Sequence, residues 1–145
     1  MKSKHLLHAT AAALSLLFLS TFWVSTVISE VFLSAAAVKM VKQSIAYALL
    51  AFVPVMMVTA GTGFAIGGKG RHPLLISKRK RMPFIAANGL LILVPSAIFL
   101  SMRAQAGMFD GVFYAIQAVE LVAGAVNLSL IGLNIRDGLR LSHRR

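Results

Sequence analysis

Residues Gly111 to Asn134 read GVFYAIQAVELVAGAVNLSLIGLN, an apolar run of twenty-four residues with one carboxylate, Glu120, near its middle. A helix that crosses a bilayer needs ~20 predominantly apolar residues, so this run is long enough to span. A charge at bilayer depth is costly and marks a functional candidate by default. Gln117, Glu120, Gly124, Asn127, Ile131 and Asn134 step by three and four and share one helix face. Val112, Ala115, Val119, Leu121, Val122, Val126 and Leu130 occupy the opposite face. The polar stripe is therefore expected to point into a bundle, with Tyr114 joining it from its outer end.

Three further apolar blocks of spanning length lie upstream, at about 6–29, 45–66 and 84–102. The spacing predicts an all-α integral membrane protein, an antiparallel bundle of four transmembrane helices that fills residues 1–145 as one domain. The links are short, as in up-down bundles, and a short basic tail follows Asn134. Met1-Lys2-Ser3-Lys4 and Ser34-Ala35-Ala36-Ala37 resemble the ends of a signal peptide. The apolar stretch between them is too long for that and is read as a retained helix. Residues 31–44 either extend the first helix or lie along the membrane surface, where Lys39 and Lys42 at i, i+3 fit an interfacial helix.

The chain is 58% hydrophobic and 13% charged, which a soluble domain of 145 residues would not be. Its net charge of +11 is concentrated between and beyond the apolar blocks. No aromatic-basic module accompanies it, so nucleic acid is not an expected partner. With four spans, twelve Lys and Arg fall on the side of the termini and three on the other. Positive loops stay in the cytoplasm, so both termini are expected inside, in a bacterial inner (cytoplasmic) membrane. Lys78-Arg79-Lys80-Arg81 precedes the third span and is expected to contact anionic lipid headgroups.

Depth follows from a rise of ~1.5 Å per residue. Glu120, Pro54, Pro95, Ser20 and Thr21 all come out ~11–13 Å from the outer ends of their spans. They are expected to form one polar layer. The two prolines free the carbonyls of Leu50 and Leu91, which then need partners. On these boundaries no Lys, Arg or His shares the level of Glu120, so the carboxyl is expected to hold a proton at rest.

Other motifs exclude more than they assign. Cysteine is absent, which removes disulfides, thiolate metal sites and cysteine nucleophiles. Gly63, Gly68 and Lys69 match the spacing of a phosphate-binding loop, but Gly70 stands where Ser or Thr is required. Gly63 and Gly67 instead suit close helix approach. His5, His8, His72 and His143 are expected to be solvated at the cytoplasmic side, with no metal site among them. Asn127-Leu128-Ser129 matches a glycosylation sequon but lies within a span. Asp137 is expected to pair with a nearby arginine, and Gly138 to end the last helix.

The layout resembles small four-helix bacterial inner-membrane proteins in general. It shares its size with four-helix b-type cytochromes but has no histidine within a span to ligate haem, and no functional residue is carried over. No cofactor and no enzymatic activity are expected, because no nucleophile, base and acid can be grouped. The leading expectation is proton-linked or small-solute transport through a site of Glu120, Gln117, Asn127, Asn134, Tyr114, Ser20 and Thr21, in a homo-oligomer or as a subunit. The alternatives are an accessory subunit that grips another membrane protein through the polar face of the fourth helix, and a quinone-binding redox subunit.

Overall fold

The computed structural model describes residues 2–144 and contains four long helices, with no strand among the described residues. They are α1 (Lys2–Phe32), α2 (Ala35–Gly67), α3 (Pro73–Gln105) and α4 (Gly111–His143). Each is long and apolar enough to cross a membrane. Each helix packs on its neighbour in the chain and α4 closes back on α1, which is consistent with a four-helix bundle. No α2–α4 or α1–α3 backbone packing occurs.

The helices run beyond the expected spans, and their caps say why. Ser34 is the N-cap of α2, its Oγ accepting from the Ala37 N–H at 3.3 Å. Three alanines follow, the best helix formers. Residues 35–44 therefore belong to α2, neither extending α1 nor forming a separate surface helix. His72 caps α3, accepting from the Leu74 N–H at 3.2 Å, and Pro73 takes the first turn, where its missing N–H costs nothing. The basic tetrad 78–81 is thereby helical. Gly138 does not end α4, which continues to His143, so the basic tail is mostly helix.

At the other end of α3, Gly107 turns the chain with φ +70°, and Asp110 caps α4 by accepting from the Phe113 N–H at 3.1 Å. Arg103 donates to the second oxygen of Asp110. The Arg103 hydrogen bond, then the Phe113 amide, hold this carboxyl below the ordinary carboxylate range. The stabilisation it supplies is present above the unfolded carboxylate value and is lost as pH falls through the lowered folded one.

Pro95 leaves a mark on α3. Residues Gly89–Leu93 form a π-turn, and the Val94 N–H reaches back five residues to the Gly89 carbonyl. Proline crowds the carbonyl four residues before it, and a local widening of the helix relieves that.

Leu19, Ile45, Leu49, Phe52, Ile85, Leu93, Ala97, Ala123 and Ile131 form the central core. The rings of Phe18, Phe22 and Phe52 lie 5.5–6.0 Å apart within and against it. Val38, Leu100, Ala104 and Phe113 form a second cluster near the 33–34 and 106–110 links. Between the clusters, Trp23 Nε1 donates to the Leu121 carbonyl at 2.8 Å, and a Cβ on Gly124 would come within 3.0 Å of the Trp23 ring. A Cβ on Gly132 would meet nothing within 4 Å. Gly124→Ala is therefore expected to destabilise by about 1–3 kcal/mol through overpacking. Gly132→Ala should be neutral or gain up to about 1 kcal/mol from helix propensity. Detergent-micelle unfolding followed by the fluorescence of Trp23, the sole tryptophan, separates the two.

Candidate functional site

Glu120 has a cationic partner. Lys42 Nζ on α2 donates to Glu120 Oε1 at 2.9 Å, with the lysine side chain 1% exposed and the glutamate 13%. The premise for a proton held on an isolated Glu120 therefore fails. Lys42 lies seven residues into α2, ~10 Å from the helix start. With the second span expected from residue 45, Lys42 is expected at the membrane surface, and the longer α2 carries it into the bundle instead. The signal was present in Ser34-Ala35-Ala36-Ala37, which reads as an N-cap followed by strong helix formers.

This ion pair joins two helices that do not pack their backbones together. It crosses the middle of the bundle from α2 to α4 near the link end. Other polar groups come to the same level. The Gln105 side chain donates to the Lys39 carbonyl at 3.4 Å, which puts buried Ser101 of α3, one turn away, at about the level of Lys42. The Trp23–Leu121 bond likewise brings Thr26 of α1 to the level of Gln117. Thr26 and Gln117 are both buried. Thr26 Oγ1, Gln117 Oε1 and Glu120 Oε2 have no hydrogen-bond partner. Thr26, Lys42, Ser101 and Gln117 are thus buried at about the level of Glu120 by helix rise, and the hydrogen bond among them is Lys42–Glu120.

The other expected members lie elsewhere. Thr21 is exposed and donates to its own helix at Leu17 O, 2.8 Å away. Ser20 is half-buried, with no bond to Glu120. Pro54 and Pro95 are exposed, as are Leu50 and Leu91. Tyr114 is half exposed and packs edge-on to Phe113, outside the polar stripe. Equal depth did not imply a common direction, because side-chain azimuth depends on how each helix is rotated in the bundle.

The rest of the α4 stripe does face inward. Asn127 is buried, donates to Ile85 O at 3.2 Å and accepts from Asn88 Nδ2 at 2.8 Å. Asn88 also donates to Ala123 O at 2.9 Å. Asn134 accepts from Arg81 at 3.2 Å and approaches Met82 Sδ at 3.6 Å. Glu120, Asn127 and Asn134 are spaced by seven, the repeat that keeps one seam facing a neighbouring helix. Their partners Arg81 and Asn88 on α3 are also seven apart. One turn beyond Asn134, Asp137 is 1% exposed and accepts from Arg81 at 2.7 Å and from Arg136 at 3.2 Å.

The basic tetrad is only partly at the surface. Lys80 is exposed, but Arg81 turns inward to Asp137, and Arg79 donates to the Gly70 carbonyl. Lys78 is half-buried, with its ammonium close to Gly138. Of the four residues expected at headgroups, Arg81 is thus held within the bundle by Asp137. His8 is not free in solvent either: its Nδ1 lies 3.2 Å from Thr59 O and 3.0 Å from Thr62 Oγ1. Gly63 provides the close approach expected of it, since a Cβ there would come within 3.1 Å of Met82 and His8, whereas Gly67 has only Leu75 at 4.0 Å.

At the end carrying both termini the bundle opens. A cavity of about 880 Å³ is lined by all four helices, from Lys2 and Ser142 at its mouth to Phe52 and Val94 at its floor. Its walls are mainly apolar, with Met56, Met57 and Met82 among them. The Lys42–Glu120 layer lies beyond that floor. No group of three or more potential metal ligands occurs among the described residues. The chain matches no protein-family model, and no curated protein or solved structure is detectably similar to it.

Proposed function

We propose that this chain is a non-enzymatic, multi-pass protein of a bacterial inner membrane. In this reading an antiparallel four-helix bundle has both termini in the cytoplasm and supports proton-linked transport of a small solute, as a homo-oligomer or a subunit. The observation that carries it is the Lys42–Glu120 clamp closing one end of a bundle that opens into a large cavity at the other.

The chemistry follows from the depth of the groups. Each of α2, α3 and α4 has 33 residues, hence a length of ~50 Å against a hydrocarbon core of ~30 Å. With Asn127 at the centre of α4, Glu120 stands ~10 Å toward the outer end, still within the hydrocarbon, and Asp137 ~15 Å toward the cytoplasm, at its boundary. In a dry site the attraction between Lys42 and Glu120 is strong, and either charge alone is costly. A proton delivered to Glu120 cancels one member of the only direct side-chain bond between α2 and α4 among the described residues. The outer end is then free to part while the inner end closes. Glu120 Oε2, an acceptor without a donor, offers that proton its landing place, and the unpartnered Gln117 Oε1 is an acceptor for the resulting O–H.

Glu120→Gln removes proton exchange while keeping the shape. In proteoliposomes under a potassium diffusion potential, with a trapped pH-sensitive dye, wild-type protein is expected to admit protons. Glu120→Gln should slow that uptake about 100-fold or more, the lower end of the range typical of a positioned acid–base group. Wild-type vesicles as tight as protein-free ones would remove the transport reading.

A further inference from the structure

The terminal cavity has a chemical polarity that the transport reading does not use. No Asp or Glu lines it, whereas Lys2, Lys78 and Arg79 do, together with His5 and His8. The nearest carboxylate on α4, Asp137, is already taken by Arg81 and Arg136. Lys78 has no ion-pair or hydrogen-bond partner among the described residues. Arg79 spends one terminal nitrogen on Gly70 O, while its Nε is buried and without an acceptor. The mouth thus holds cationic donors in excess, including one desolvated N–H that lacks an oxygen. Unsatisfied buried donors of this kind are rare, and an anion satisfies them.

Below these donors the walls are mainly apolar for ~22 Å along α2, from Gly67 down to Phe52, with Thr59 the polar residue of that helix among them. The volume falls within the ~300–1,000 Å³ of ligand-binding pockets. At ~30 Å³ per water-sized group it accommodates on the order of thirty such groups. That is enough for one long alkyl chain and a headgroup. Methionines in the wall adapt to a flexible chain.

We infer that this cavity binds one anionic phospholipid, with its phosphate between Lys78 and Arg79 at the mouth and one acyl chain running toward Phe52. The occupant is set by the charge at the mouth and the apolar depth together. A zwitterionic lipid brings a quaternary ammonium to a mouth that already holds Lys2, Lys78 and Arg79 and has no carboxylate to receive it, and a free phosphate leaves the apolar walls empty. Binding of this kind does not require transport, so it stands or falls separately from the function proposed above.

The test is native mass spectrometry of the detergent-purified full chain with equimolar dioleoyl phosphatidylglycerol and dioleoyl phosphatidylcholine. Wild-type protein is expected to retain one phosphatidylglycerol with a preference of about ten-fold or more, from two cations acting on one headgroup. Lys78→Gln with Arg79→Gln should reduce the preference to about two-fold or less. Ala86→Trp, which fills the cavity wall and leaves the charges in place, should lower occupancy by both lipids. Arg71→Gln with Lys80→Gln removes two exposed charges outside the cavity and should change nothing. Equal retention of the two lipids by wild-type protein overturns the inference. So does an equal loss of preference in the Arg71/Lys80 pair, which would reduce the effect to general surface attraction. If circular dichroism shows that a cavity variant has not folded, the wild-type competition alone decides.

Discussion

Lys42→Met is expected to destabilise the fold by about 3–5 kcal/mol, because it strands Glu120 as an uncompensated charge within the bundle. Methionine is close to lysine in length and can fill the same channel, so little of the loss should come from packing. The companion variant decides the cause. Lys42→Met combined with Glu120→Leu removes both charges, and replacing a buried pair by apolar residues is often neutral or stabilising. The double variant is therefore expected to recover most of the loss. The measurement is a thermodynamic cycle from reversible unfolding in mixed micelles, read by Trp23 fluorescence and circular dichroism. Additive losses in the double variant would show that the two residues do not act as a pair. The same double variant informs function, since a restored fold without proton uptake separates stability from transport.

Asp137→Ala is the second large effect, with an expected loss of about 2–4 kcal/mol. The carboxylate is 1% exposed, while Arg81 retains 21% and Arg136 50%. Removing the acid leaves Arg81 with only Asn134 as an acceptor within the bundle. The loss is smaller than at Lys42 because Arg81 lies near a helix end and can swing its head outward to water or headgroups. Asp137→Asn keeps an acceptor for one arginine and should fall between wild type and Asp137→Ala. A change within about 0.5 kcal/mol for Asp137→Ala, the range of an ordinary surface substitution, would show that Arg81 and Arg136 do not depend on it.

Much of the inward face of α4 was legible in the sequence. Gln117, Gly124, Asn127, Ile131 and Asn134 are buried together, because a stripe at helical spacing on an apolar helix has one direction that avoids lipid. The partners on the other helices were less legible. Ser20, Thr21, Pro54 and Pro95 matched Glu120 in depth, yet Thr21 and both prolines face outward and Ser20 makes no bond to Glu120. Rise per residue gives depth from sequence alone, whereas rotation about the helix axis is set by packing against neighbours. For α3 the π-turn at Gly89–Leu93 adds a local change that a regular periodicity does not contain.

The sequence by itself determined four helices long and apolar enough to span a membrane and the face of α4 that turns inward. These are local properties of hydropathy and a repeat of 3.6 residues. Only the tertiary structure decided that Lys42 meets Glu120 and that Arg81 meets Asp137. It also decided that one end of the bundle closes over a polar layer while the other opens into a basic-rimmed cavity. Partners separated by 78 and 56 residues come together through helix register and rotation. Those are properties of the packed bundle, shared among all four helices and carried by none of them alone.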